Sequence, residues 1–84
     1  MQKKEYCYKI ITKTEKIFYI GCPFGLYHVF VTNKNHTENY SLYGGYKNLG
    51  TASNKMLNTI DKNDIISYYY ATKELILKNG AFGM

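Results

Sequence analysis

The chain has 84 residues, of which 45% are hydrophobic, 17% aromatic and 20% charged. This length predicts one domain with a modest core, which leaves little room for a deep catalytic pocket. The aromatic content argues against disorder, and no apolar run reaches the roughly 18–20 residues that a membrane span requires. Residues 1–5 are polar and show no signal-peptide pattern, so we expect a cytoplasmic protein without a membrane partner.

Residue usage and charge narrow the class of partner. The chain contains eleven lysines and no arginine, together with eight asparagines, eight isoleucines and ten tyrosines, a usage typical of a low-GC genome. The formal net charge of +5 favours anionic partners, either nucleic acid or acidic protein surfaces. Lysine also keeps small domains in solution, so the charge has a non-functional explanation as well.

Alternating apolar and polar residues predict an antiparallel meander in the first half of the chain. Strands are expected at residues 5–12, 16–22 and 26–33, because these runs are rich in β-branched and aromatic residues. A short fourth strand is expected at 38–43, ending before Gly44 and Gly45. Proline, glycine and polar residues gather in the predicted turns between them.

Two helices are expected after the meander. The first is predicted from apolar residues at helical spacing, namely Leu49, Ala52, Ser53, Met56, Leu57 and Ile60. Residues 64–79 also fit a helix, with a stop signal at Asn79 and Gly80, although three consecutive tyrosines keep a strand as the alternative. The tail 81–84 is expected to be loose. The predicted fold is therefore a single α+β domain over 1–84, an antiparallel three- to four-stranded meander followed by one or two helices packed on one face.

The turns suggest which side chains share a face of the sheet. If residues 14–15 and 23–24 close the two hairpins, alternation assigns each strand residue to one side. The more aliphatic side, where we expect the helices to pack, collects Cys7, Ile11, Phe18, Ile20, Tyr27, Val29 and Val31, with Lys9 as a misfit. The other side, expected to be at least partly exposed, collects Tyr6, Tyr8, Ile10, Ile17, Tyr19, Leu26, His28 and Phe30.

No residue pattern indicates catalysis, a metal or a cofactor. The two cysteines and two histidines are separated by fourteen, five and seven residues, which does not match the close ligand pairs of structural zinc sites. In a cytoplasmic protein, Cys7 and Cys22 are expected to be reduced thiols. The six acids form no obvious pair for general acid–base catalysis. Gly44 and Gly45 do not match a phosphate-binding motif and are interpreted as a turn. We therefore expect a protein that is not an enzyme.

The expected function is binding. Small anti-CRISPR and anti-restriction proteins have a similar profile, so the first hypothesis is a stoichiometric inhibitor of a host nucleic-acid-handling defence complex. It would come from a phage or mobile element and act in the bacterial host's cytoplasm. The alternative is direct binding of DNA or RNA through lysine contacts and tyrosine stacking. A third hypothesis is a subunit that mainly oligomerises, for example as a homodimer, or an enzyme whose site the residue pattern does not reveal. The predicted binding residues are Tyr6, Tyr8, Tyr19, His28, Lys13, Lys16, Lys34 and Lys47.

Overall fold

The computed structural model describes residues 6–79, which form one antiparallel sheet and two helices. The strands are β1 (Tyr6–Thr12), β2 (Lys16–Gly21), β3 (Tyr27–Asn33), β4 (Asn39–Tyr46) and β5 (Ile65–Ala71). The helices are α1 (Leu49–Thr59) and α2 (Lys73–Asn79), and a short 3-10 turn spans Lys62–Asp64. The strand order is β4-β3-β2-β1-β5. The predicted α+β meander is confirmed, with one more strand than expected. The predicted loose tail lies outside the described residues.

The fifth strand corrects the helix predicted over residues 64–79. Only Lys73–Asn79 is helical, while Ile65–Ala71 pairs with β1 along the whole of that strand, from Tyr6↔Ala71 to Thr12↔Ile65. β-Branched and aromatic residues lose rotamer freedom in a helix and pack well on a pleated surface, so the tyrosine run follows its strand propensity. Asp61 starts the preceding turn by accepting a hydrogen bond from the Asn63 backbone N–H at 3.0 Å.

Helix α1 confirms the helical spacing seen in the sequence and covers one face of the sheet. Its Leu49, Ala52, Ser53 and Met56 are buried. The Ser53 hydroxyl donates to the Cys7 carbonyl oxygen at 3.4 Å, which satisfies a polar group beneath the helix. The main core cluster consists of Cys7, Ile10, Ile20, Cys22, Tyr27, Val29, Leu49, Ala52, Met56, Ile60, Ala71 and Ile76. None of the helices formed by residues 6–79 is long and apolar enough to cross a membrane.

The first hairpin has a different register from the one predicted. Its turn contains residues 13–15, with Glu15 in the left-handed region at φ 66°, and Ile10 therefore pairs with Phe18. This shift by one residue moves the side chains of Lys9, Ile10 and Ile11 to the other face, while those of β2 keep their predicted faces. Ile10 is consequently buried in the main core instead of lying on the open face, and Ile11, paired with Ile17, lies on the opposite face from Ile10.

The second hairpin has the predicted faces although its pairs differ. Phe18 pairs with Val31 and Ile20 with Val29, a shift of two residues from the predicted turn. Because the side-chain period of a strand is two, a shift of two residues leaves each side chain on its original face. Ile20, Tyr27 and Val29 lie in the main core as expected.

Strand β4 continues through the glycines that were expected to end it. Between Tyr27↔Tyr46 and Phe30↔Ser41 the register with β3 shifts twice, and Gly45 has φ 83°. Such irregularities are β-bulges, which twist and bend a strand. The interpretation of Gly44 and Gly45 as a turn leaving the sheet is therefore wrong, because both lie within the edge strand.

Candidate binding surface

The predicted tyrosine surface does not exist as one exposed face. Tyr19 is 1% exposed and Phe30 6%, and their rings stack at 5.3 Å to form a second buried cluster. The Tyr19 hydroxyl can be buried because it donates a hydrogen bond to Asn39 Oδ1 at 3.0 Å. Tyr6 and Tyr8 are half-buried against the main core, where a bulge at Tyr8 disturbs the alternation of β1. His28 is half-buried; its Nδ1 lies 3.2 Å from Ser41 Oγ and its ring stacks on Phe30.

Three of the four predicted lysines lie at the same end of the sheet. Lys13 belongs to the first hairpin turn, Lys16 begins β2, and Lys34 follows β3, whereas Lys47 lies at the opposite end, before α1. The Lys13 N–H donates to the Asp64 carbonyl at 2.8 Å, and the Lys34 N–H donates to the Glu15 carbonyl at 3.0 Å. These backbone bonds tie the hairpin turn to the neighbouring loops, so the backbone that carries the lysines is held in place.

A groove of about 370 Å³ lies beside these lysines. This hairpin groove is lined by Ile11, Thr12, Lys13, Glu15, Ile17, Lys34 and Ile66. Its apolar surface comes from three isoleucines on three adjacent strands, β2, β1 and β5. Lys13 and Lys34, whose side chains are exposed, also line the groove. The volume is within the range of small ligand sites, which begins at roughly 300 Å³. The sequence indicated the lysines but not the isoleucines, because their faces depended on the hairpin register.

The lysine-rich end of the sheet is not positively charged as a whole. Lys13, Lys16, Lys34 and Lys62 lie in or next to its loops, and so do four acids, Glu15, Glu38, Asp61 and Asp64. Affinity for a phosphate backbone grows with the number of phosphates that cations neutralise, and neighbouring carboxylates oppose it by repulsion. The groove therefore lies at an end of the sheet where lysines and acids are equal in number.

The exposed tyrosines are ones that were not among the predicted site residues. Strand β5 exposes Ile66 (61%), Tyr68 (43%), Tyr69 (48%) and Tyr70 (55%), which we call the β5 strip. The rings of Tyr68 and Tyr70 stack at 6.1 Å with an interplanar angle of 12°. The Lys9 ammonium lies 5.3 Å from the centre of the Tyr69 ring. The sequence signal was the run of three tyrosines itself, which only becomes an exposed strip when the segment is an edge strand.

The cysteines are not placed for nucleophilic chemistry. Cys7 and Cys22 are buried free thiols. Burial raises the pKa of the Cys7 thiol from 9.0 to about 11, against the smaller lowering effect of a backbone hydrogen bond from Lys9. A reactive cysteine needs the opposite shift, because the thiolate is the nucleophile. Within residues 6–79, no group of three or more His, Cys, Asp or Glu side chains lies in a metal-binding arrangement.

Alkaline conditions are expected to destabilise the fold. Burial raises the pKa of Cys7 and also that of Tyr19 and Tyr27, so each group holds its proton more tightly when folded. Their stabilising contribution is complete below the ordinary values of 9.0 and 10.0 and is lost as the pH rises through the higher folded values. Urea unfolding from pH 7 to 11 should show stability falling above about pH 9. A free energy of unfolding that stays level to pH 11 would contradict the burial of these groups.

Comparisons with known proteins add no assignment. No protein-family model matches the chain, no curated protein matches its sequence, and no solved structure matches its fold.

Proposed function

We propose that this protein is a non-enzymatic binding protein that acts stoichiometrically by holding a segment of a partner protein in the hairpin groove. The observation that supports this most directly is a groove lined by the three isoleucines Ile11, Ile17 and Ile66 together with Lys13 and Lys34. The partner class expected from the sequence, a host nucleic-acid-handling defence complex blocked by a phage-encoded inhibitor, is part of the proposal. That part rests on chain size and basic charge, whereas the groove bears on how the partner is held.

The chemistry of the groove selects the kind of segment it would hold. An apolar side chain on the isoleucine floor removes hydrocarbon surface from water, which contributes about 25 cal/mol per Å² buried. The ammonium groups of Lys13 and Lys34 would pair with carboxylates that flank such a side chain. Glu15 also lines the groove and disfavours a segment that is purely acidic. The best fit is an exposed apolar residue with an acidic neighbour.

Charge reversal at the groove tests this proposal. We expect the double variant Lys13→Glu/Lys34→Glu to weaken partner binding by about tenfold or more, which corresponds to about 1.4 kcal/mol. The matched control is Lys47→Glu/Lys73→Glu, which changes the net charge equally but lies at the other end of the sheet. Partners are captured from the producing cell, and the affinity of each variant is measured by titration calorimetry. Equal losses for both pairs would show that general positive charge, and not the groove, carries the binding.

The alternative of direct nucleic-acid binding is supported by the exposed, stacked Tyr68 and Tyr70 rings, on which unpaired bases could stack. A salt titration with generic DNA and RNA separates the two functions. Lysine-mediated binding to a polymer weakens steeply as salt rises, because condensed counterions are released on binding. We expect little affinity for either polymer, and tight, salt-dependent binding would favour the alternative instead.

A further inference from the structure

The β5 strip occupies the edge of the sheet. Among residues 6–79, β1 is the only strand that pairs with β5, so its other side offers unpaired backbone groups. Proteins usually protect such an edge with charged residues, proline or bulges. The opposite edge strand, β4, is protected in this way by two register shifts and Gly45 in the left-handed region. Strand β5 has an extra residue at Ile66, where its register with β1 shifts. It contains neither a charged residue nor proline, and residues 67–71 continue without an extra residue on β5.

We propose that two copies of the protein associate by antiparallel pairing of their β5 strands, which gives a continuous ten-stranded sheet. A second copy is the occupant best matched to this edge, because an antiparallel pair of identical strands is self-complementary about a two-fold axis. The absence of charge between Ile65 and Ala71 means that no like charges are brought together within the paired segment. The inference concerns the β5 edge, which shares only Ile66 with the hairpin groove, and it does not depend on the proposed function.

The symmetry determines which side chains meet. Antiparallel pairing about a two-fold axis requires that axis to be perpendicular to the sheet, so both α1 helices lie on the same face. Register with β1 places Tyr70 beside Cys7 and Tyr68 beside Ile10, both on the α1 face. Ser67–Ala71 is the regular part of β5, and pairing centred on Tyr69 places Tyr68 of each copy opposite Tyr70 of the other. Aromatic cross-strand pairs of this kind stabilise antiparallel pairing.

The buried area indicates how strong such a dimer is. The three tyrosines and Ile66 are about half exposed, so at ~200 Å² per side chain the strip exposes ~400 Å² per copy, and ~800 Å² of side-chain surface is the upper limit that pairing can bury. The paired backbones add to this area. The total lies at the low end of specific interfaces, which is typical of reversible association. We therefore expect a dissociation constant in the micromolar range.

Sedimentation velocity of the full chain over about 5–500 µM tests the dimer. We expect the wild-type protein to pass from monomer to dimer across this range. The double variant Tyr68→Lys/Tyr70→Lys, which places four ammonium groups together at the interface, should remain monomeric. The control Tyr40→Lys changes a tyrosine of similar exposure (47%) on β4 and should dimerise like the wild type. A wild-type protein that stays monomeric throughout, or a dimer that survives the double substitution, would overturn the proposal.

Cross-linking keeps the test decisive if the double lysine variant folds poorly. Tyr69 lies at the axis, so Tyr69→Cys places one thiol of each copy opposite the other, at a cross-strand separation that a disulfide can span. Mild oxidation should convert this variant to a covalent dimer. The control Phe24→Cys lies at an exposed turn (88%) away from β5 and should cross-link much more slowly at the same concentration. Equal rates for the two variants would mean random collision and would rule out β5 pairing.

Discussion

Replacement of Ile10 by alanine is expected to lower the free energy of unfolding by about 2–5 kcal/mol. The Ile10 side chain is fully buried in the main core, pairs with Phe18 on β2 and lies on the sheet face that α1 covers. Its removal leaves a cavity in the centre of the sheet, where neighbouring strands restrict relaxation. Equilibrium unfolding in urea, followed by circular dichroism, measures the loss.

Ile11→Ala is the matched control for this prediction. Ile11 is adjacent in sequence, has the same side chain and is only half-buried where it lines the hairpin groove. We expect it to lose about 1 kcal/mol or less, because its methyl groups are already partly in contact with water. The register predicted from the sequence gives the reverse order, with Ile11 in the core. A larger loss for Ile11 than for Ile10 would therefore show that the first hairpin is paired as the sequence had suggested.

Gly44→Ala is the second substitution for which a large effect is expected. A Cβ at this position would overlap the imidazole of His28, because β4 passes closely over that ring. The ring cannot move freely, since it stacks on Phe30 and bonds to Ser41. We expect a loss of about 1–3 kcal/mol in the free energy of unfolding, as is usual for overpacking at a constrained contact. Urea unfolding of the single variant measures it.

A double-mutant cycle with His28→Ala identifies the cause. If the overlap with the imidazole is responsible, Gly44→Ala should be nearly neutral in the His28→Ala background, which gives a coupling energy of about 1–3 kcal/mol. Gly45→Ala is the control, because its Cβ would meet open space while its φ of 83° is unfavourable for alanine. Its loss should be the same with or without His28. Additive effects of Gly44→Ala and His28→Ala would show that the glycine is required for another reason.

Local patterns predicted most of the fold but not the relative positions of its parts. The spacing of Leu49, Ala52 and Met56 determines the buried face of α1 wherever the helix lies, and the prediction of that helix was confirmed. The predicted register of the first hairpin was wrong because a three-residue turn and a two-residue turn are both compatible with Lys13, Thr14 and Glu15. Only the tertiary structure places Glu15 at positive φ. The length of this turn matters greatly, since a difference of one residue exchanges the two faces of β1.

The prediction of a helix over residues 64–79 was wrong for a different reason. Residues 64–79 carry both helical spacing and strand-forming residues, and the free edge of β1 resolves the conflict by offering backbone partners from Tyr6 to Thr12. That edge is more than 50 residues away in sequence, so no local pattern reveals it. The candidate binding surface was likewise predictable only where it depends on local sequence. Lys13 and Lys34 were predicted because exposed charge is readable locally, whereas the isoleucine floor and the β5 strip depend on long-range pairing.

The position of β1 inside the sheet has a consequence for the order of folding. Tyr6 pairs with Ala71, so the outer side of β1 is covered only after β5 has been synthesised. The hairpins and α1 depend on near neighbours and are able to form during synthesis, but pairing across nearly the whole chain is slow. Until β5 pairs with it, β1 exposes an unpaired strand edge that contains isoleucines to other nascent chains. A stalled or truncated product that ends before residue 65 would expose that strand edge permanently. Pairing with β5 therefore protects β1 against aggregation.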